Sequence, residues 1–286
     1  MKLQKRNAIV TGGSLGLGAA IVKEFIQEGA NVLFCSRNKK DAKQLLLSLK
    51  KKVLPEQRLV YQQCDMANPK DVDQFFKKAL SEFKTIHILV NNAGIYGPIG
   101  PSEEISWKDW VQTIQINLYG LFAACQKAIP IFKKNAYGKI INLSGGGATN
   151  PLPRFSAYAA SKAAVVRLTE TLAEELRGTG IDVNTISPGA LNTRLLKQVL
   201  DSGPNKTGES FFQKALKQTS EGGVPLERGA KLCVYLASET SDGISGKLIS
   251  AQWDPWEKLH EFKEELRSSD IYTLRRIIPQ DRGKKW

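Results

Sequence analysis

The chain has 286 residues, 42% of them hydrophobic, and carries a formal net charge of +13. That length suits one large α/β domain with a substantial core, and no apolar run reaches the ~18 residues a membrane span needs. Four scattered cysteines (Cys35, Cys64, Cys125, Cys233) and two histidines (His87, His260) argue against a metal site or a redox pair and leave the thiols as reduced core residues.

Met1 to Arg6 run directly into the strand-like Asn7 to Val10. This leaves no room for a signal peptide, so a cytoplasmic location is expected. A glycine-rich turn follows, then a helical pattern from Ala19 to Glu28, ended by Gly29-Ala30, and a second strand from Asn31 to Cys35. Asn38, with Asp41 behind it, caps a helix towards Lys52, and Leu59 to Cys64 reads as strand three. Asn68-Pro69-Lys70-Asp71 combines a cap, a first-turn proline and an acidic third position, which starts the next helix. Ile86 to Val90 is a short buried strand ending in Asn91-Asn92-Ala93-Gly94.

Ser106 to Asp109 cap a long helix that contains Asn117, with Pro130 expected to interrupt its far end. Lys139 to Leu143 forms strand five, ahead of the Gly145-Gly146-Gly147 loop. An alanine-rich helix then runs from Phe155 to about Arg177, where Gly178 and Gly180 stop it. Ile181 to Ile186 and Gly246 to Ser250 are the remaining strands. Strand-helix alternation of this kind implies a mostly parallel sheet with helices on both faces. Right-handed crossovers place the loops that follow the strands on one edge. The lysine runs at Lys39, Lys50, Lys77 and Lys133 fall in helices or at their ends. They read as solvated faces rather than a nucleic-acid footprint, since no nucleic-acid motif accompanies them.

Two stretches carry chemistry. Thr11 to Gly18 stands between the first strand and first helix, and its Gly12, Gly16 and Gly18 permit close approach of backbone amides to a phosphate. Tyr158 and Lys162 lie four residues apart in the alanine-rich helix, on one face and one turn from each other. A free phenol titrates near pH ~10. A neighbouring ammonium favours the phenolate and draws that value towards neutrality.

Four motifs occur in order: Thr11 to Gly18, Asn91 to Gly94, Tyr158 to Lys162, and Pro188 to Thr193. Together they make the chain resemble the short-chain dehydrogenase/reductases over about residues 5 to 250. The resemblance implies a single Rossmann-like doubly wound domain with a mostly parallel seven-stranded sheet, binding NAD(H) or NADP(H). It assigns Gly12, Ser14, Leu15, Gly16, Leu17 and Gly18 to the pyrophosphate loop, Asp65 to the adenine edge, and Asn91, Ala93 and Gly94 to the cofactor cleft. Pro188, Gly189 and Thr193 would hold the nicotinamide carboxamide. Read without the resemblance, Asp65 is a loop cap and Asn91-Asn92 a turn. NAD-preferring members usually have an acidic residue at the end of strand two; this chain has Ser36-Arg37-Asn38. Arg37 suits a 2′-phosphate and makes NADP(H) the expected cofactor.

By the same resemblance Tyr158 is the general acid/base, Lys162 holds the ribose and lowers the phenol's pKa, and Asn117 supports a proton path. The family's substrate-orienting serine falls on Gly145 here, and Ser144 lies one position earlier. Adjacent residues of an extended segment face opposite ways, so Ser144 takes the role only if the glycine loop shifts register. The expected activity interconverts a small alcohol and a carbonyl. A catalytically idle dinucleotide-binding or interaction protein is the alternative.

Residues 1–252 are read as the binding and catalytic domain, with a polar lid over about 190–223, where Arg194 joins Tyr96, Arg154 and Phe155 as possible substrate neighbours. Residues 253–286 form an extension, packed on the same domain or on another subunit. Its Asp254-Pro255-Trp256-Glu257 start and its stripe of Trp256, Leu259, Phe262 and Leu266 suggest a helix. Arg275 and Arg276 in this extension would place basic side chains near an anionic substrate. The resemblance also implies a homodimer or homotetramer, built partly from the helices bearing Asn117 and Tyr158.

Overall fold

The computed structural model describes residues 1–286. Its apolar runs form seven strands: β1 (Asn7–Thr11), β2 (Asn31–Ser36), β3 (Leu59–Gln63), β4 (Ile88–Asn91), β5 (Gly138–Leu143), β6 (Ile181–Ser187) and β7 (Leu248–Ser250). They build one parallel sheet in the order β3-β2-β1-β4-β5-β6-β7. The order reverses beside β1, as in Rossmann-like folds, and creates a crevice at the carboxyl ends of the strands.

Both faces of the sheet are covered, so its central strands are continuously apolar instead of alternating with polar residues. Their side chains divide with a period of two. Ala8, Val10, Val32, Phe34, Ile141 and Leu143 enter one core, whereas Ile9, Leu33 and Ile140 enter the other. Helices α1 (Gly16–Gln27) and α9 (Leu226–Ala237) cover the first face. On the second face lie α3 (Pro69–Phe83), α5 (Gly120–Asn135) and α6 (Ser156–Glu175). The remaining helices are α2 (Lys39–Leu49), α4 (Trp107–Ile114), α7 (Arg194–Thr207), α8 (Glu209–Glu221) and α10 (Lys263–Ser268).

The local signals acted as read at three helix starts. Asn38, Asn68 and Ser106 each accept a backbone N–H of the first turn through the side chain. Elsewhere the structure differs. Pro130 does not interrupt α5, which continues to Asn135. Pro130 and Gln126, whose carbonyl the proline leaves unpaired, both lie on the exposed side, where water can serve that carbonyl. The long helix around Asn117 is instead divided by a π-helical turn at Gln115–Tyr119.

The stretch after β7 forms a 3-10 turn (Trp256–Phe262) before α10. Asp254 does not cap it, because its carboxylate accepts the Ser250 N–H at 2.6 Å. Trp256, Leu259 and Leu266 join the core beside α9, whereas Phe262 is 48% exposed. The chain then follows the free edge of β7. Leu248 N–H donates to the Tyr272 carbonyl at 2.8 Å, and Lys247 Nζ donates to the carbonyls of Ser269 and Ile271 at 3.0 and 2.9 Å. A sheet edge open to further pairing is thereby occupied by the chain's own backbone.

Candidate active site

A cleft of about 1200 Å³ opens along the carboxyl ends of the strands. It is bordered by Gly12, Ser14, Leu15, Gly16, Leu17 and Gly18 on one side and by Pro188, Gly189 and Thr193 on the other. Ala93, Gly94, Ser144, Tyr158 and Lys162 line its centre, and Arg37 and Asp65 its far end.

The glycine loop is shaped by close backbone approach. A Cβ on Gly18 would stand 2.2 Å from the Gly12 carbonyl oxygen, and one on Gly12 would meet Ala93 Cα at 2.9 Å. Two motif residues that the sequence reading gave no binding role, Thr11 and Asn92, hold this packing. Thr11 Oγ1 accepts from the N–H groups of Asn92 and Ala93 at 3.1 and 3.0 Å. Asn92 Nδ2 donates to the carbonyls of Thr11 and Gly12 at 3.0 and 2.9 Å. Helix α1 has no side-chain cap and no acidic residue in its first turn, so its leading amides face the cleft without an internal partner. A glycine cradle before an uncapped helix start fits a dinucleotide pyrophosphate.

Asn91, expected in the cleft, and Asn117, expected to support a proton path, both lie outside the cleft lining. Asn91 is buried below the cleft, where its Nδ2 donates to Asn142 Oδ1 at 2.9 Å and to Cys125 Sγ at 3.4 Å. Strand periodicity turns Asn91 inward and leaves Asn92 on the cleft side. Asn117, in the π turn, is also buried. Its Oδ1 accepts Ile95 N–H at 2.9 Å, and its Nδ2 donates to the Ile95 carbonyl at 2.9 Å and Ser161 Oγ at 3.0 Å. It thus fastens the loop after β4 to α6. Asp65 has the cap geometry: its Oδ1 accepts Ala67 N–H at 3.0 Å.

Tyr158 and Lys162 are 6% and 4% exposed. Tyr158 Oη makes no hydrogen bond within the protein. Lys162 Nζ donates to the Leu143 carbonyl at 2.7 Å and lies 5.6 Å from the Tyr158 ring centre. Burial pushes the phenol well above its ordinary range, with nearby Tyr96 adding to the rise. Burial also lowers the Lys162 ammonium to about 8. Desolvation, which residue spacing does not reveal, therefore sets the direction in which the phenol moves.

The opposite wall is apolar. Tyr96 packs on Tyr158 with ring centres 4.6 Å apart, and Phe155 on Phe211 at 4.8 Å. Tyr96, Leu152, Leu196, Val199, Phe211 and Ala215 face the cleft. The segment read as a polar lid is thus a helical pair, α7 and α8, whose inner side is apolar. Gln198 of α7 donates to the Gly97 carbonyl at 2.9 Å, and Arg154, ahead of α6, donates to the Asn205 carbonyl of α7 at 2.9 Å. Phe155 is fully buried, Arg194 borders the cleft, and Arg275 pairs with Asp270 and Asp281 away from it. Cys35 and Cys64, distant in sequence, are both buried in the cleft lining, and the neighbouring Cys64 together with burial holds the Cys35 thiol well up.

A family model for short chain dehydrogenases matches residues 6–202. The chain is 35% identical over 254 residues to 3beta-hydroxysteroid dehydrogenase 1 of Eggerthella lenta, spanning 86% of this chain and 92% of that one. It is 32% identical over 258 residues to a short-chain type dehydrogenase/reductase of Picea abies, spanning 85% and 90%. The crystal structure of levodione reductase superposes with a TM-score of 0.79 at 23% identity, covering 87% of this chain and 96% of that one. A short-chain type dehydrogenase/reductase from Mycobacterium ulcerans gives 0.77 at 23%, covering 87% and 89%. These two likenesses establish the fold, and the matched sequence establishes the lineage. The chain belongs to the short-chain dehydrogenase/reductase family of oxidoreductases.

Proposed function

We propose that this protein is an NADP-dependent reductase of apolar, alicyclic carbonyl compounds, with Tyr158 as the proton donor. One observation carries the reading: a buried phenol with no protein partner stands at the centre of a cleft whose one half is a glycine cradle and whose other half is apolar. The glycine loop and the open start of α1 would hold the pyrophosphate, and exposed Arg37 the 2′-phosphate. The nicotinamide cofactor supplies the hydride equivalent.

The protein's own part is to position, dry and protonate. Tyr96, Leu196, Val199 and Phe211 exclude water from the reacting oxygen. Tyr158 Oη, kept protonated by its burial, gives its proton to that oxygen as charge develops. Lys162, anchored on the Leu143 carbonyl, lies within the same enclosure and favours the phenolate left behind. Asn117 acts from beneath, fixing the Ile95 loop against α6. The hydroxysteroid named for the Eggerthella lenta relative suits an aromatic and aliphatic wall of this kind.

We further propose that α7 and α8 open and close as a lid. Tyr119 and Phe122, 61% and 45% exposed beside the π turn, support self-association as a homodimer or homotetramer. No helix is long and apolar enough to cross a membrane.

NADPH consumption with a panel of alicyclic ketones, set against NADH, tests the reading. Turnover is expected with NADPH and should fall by about 1000-fold in Tyr158→Phe while NADPH binding persists. The glycine at position 145 favours a second reading, a dinucleotide-binding protein without turnover. No turnover with any ketone would support it, whereas equal turnover in the two proteins would exclude Tyr158 as the acid.

A further inference from the structure

The loop after β5 departs from the family pattern at the residue that faces the catalytic phenol, and the departure is structural. A Cβ on Gly145 would stand 2.2 Å from Tyr158 Oη and 3.1 Å from its Cζ. The phenol hydroxyl thus occupies the space a side chain at 145 would need. Ser144 does not fill the gap. Its Oγ is sealed from solvent and has no hydrogen-bond partner, and its N–H is committed to the Ile186 carbonyl at 2.9 Å.

The next groups along the chain are free. Ser144 is followed by Gly145 and Gly146, which both border the cleft, and neither N–H donates to any protein acceptor. A backbone amide needs no side-chain volume, so it can serve where the phenol leaves no room for a hydroxyl. Resting on the reductase reading above, we propose that the main-chain N–H of Gly145 replaces the missing serine. It holds the substrate oxygen from one side while Tyr158 Oη protonates it from the other.

This assignment makes glycine at 145 a requirement, and it predicts that restoring the family's serine does harm. Gly145→Ser should lower kcat by about 100-fold, since the added Cβ displaces the phenol, with NADPH affinity unchanged. Ser144→Ala should stay within about 3-fold of the parent. If Ser144 were the donor, its loss would instead cost about 100-fold or more.

A second measurement needs no turnover. Labelling with carbonyl-13C serine and 15N-glycine selects the amides of glycines that follow serine, Gly145 among them. Cyclohexanone added to the NADP+ complex cannot be reduced, and should move the Gly145 amide proton downfield. The assignment is overturned if Gly145→Ser matches or exceeds the parent, if Ser144→Ala abolishes activity, or if the Gly145 signal stays fixed as the ketone binds. A protein that reduces no ketone yet shows the amide shift would refute the reductase reading and keep the donor.

Discussion

Two buried lysines serve opposite ends of the same central strand, and their surroundings differ sharply. Lys139, near the start of β5, is 1% exposed and holds Asp182 at 2.6 Å and Asp242 at 2.7 Å. Lys162, 4% exposed, reaches the other end of β5 and finds only the Leu143 carbonyl. One ammonium is balanced by two carboxylates; the other is enclosed without any. A buried unpaired charge is expensive, and persists where chemistry needs it. The paired end of the sheet therefore reads as scaffold and the unpaired end as active site.

Stability separates the two most. Lys139→Met leaves the largely buried Asp182 carboxylate without its partner, Asp242 being half exposed, and should destabilise the fold by about 3 kcal/mol in urea titration. Lys162→Met removes an unpaired charge, so its midpoint should stay level or rise while kcat falls by about 100-fold. Loss of stability in Lys162→Met comparable to that of Lys139→Met would erase the contrast.

The pH dependence follows from the same site. The Lys162 pKa falls from an ordinary 10.5 to about 8 on folding. Below about pH 8 both the folded and the unfolded chain carry the charge, and its full desolvation penalty is present. Between about 8 and 10.5 the unfolded chain binds the extra proton, so this group's contribution to stability rises with pH. Lys162→Met should flatten that rise relative to the parent.

Cofactor choice is expected to respond more weakly. Arg37→Glu should reduce the preference for NADPH over NADH by about 10-fold, seen as a ratio of kcat/KM values. The smallest effect concerns dynamics. Only four buried residues (Phe155, Tyr158, Val199, Ala215) anchor the α7–α8 side, against 32 and 24 in the two cores. Its amides should exchange with deuterium before those of β1 and β4.

What the sequence made legible was local. The glycine loop, the caps at Asn38 and Asn68 and the run of strands are each set by a few adjacent residues, and they stand where the pattern put them. Features set by distant contacts were not visible. Asn92 rather than the expected Asn91 faces the cleft, because strand pairing decides which neighbour does so. The π turn at Asn117 has no composition signal, since Ile95 and Ser161 hold its side chain from other elements. The apolar wall was hidden because Leu196, Val199, Phe211 and Ala215 lie among polar neighbours and share a face only once α7 and α8 pair. Likewise, the raised phenol follows from enclosure by Tyr96 and the helical pair, whereas spacing to Lys162 alone suggests the reverse.

The central claim is that the Tyr158 phenol delivers the proton. Replacing that tyrosine with a fluorinated one, whose hydroxyl is more acidic but nearly the same size, tests it directly through the pH profile of ketone reduction. Burial holds the phenol well above the Lys162 step at about 8, so it is the more alkaline limb of kcat/KM that should move to lower pH with the acidity of the new phenol. A profile that stays in place would show that another group carries the proton.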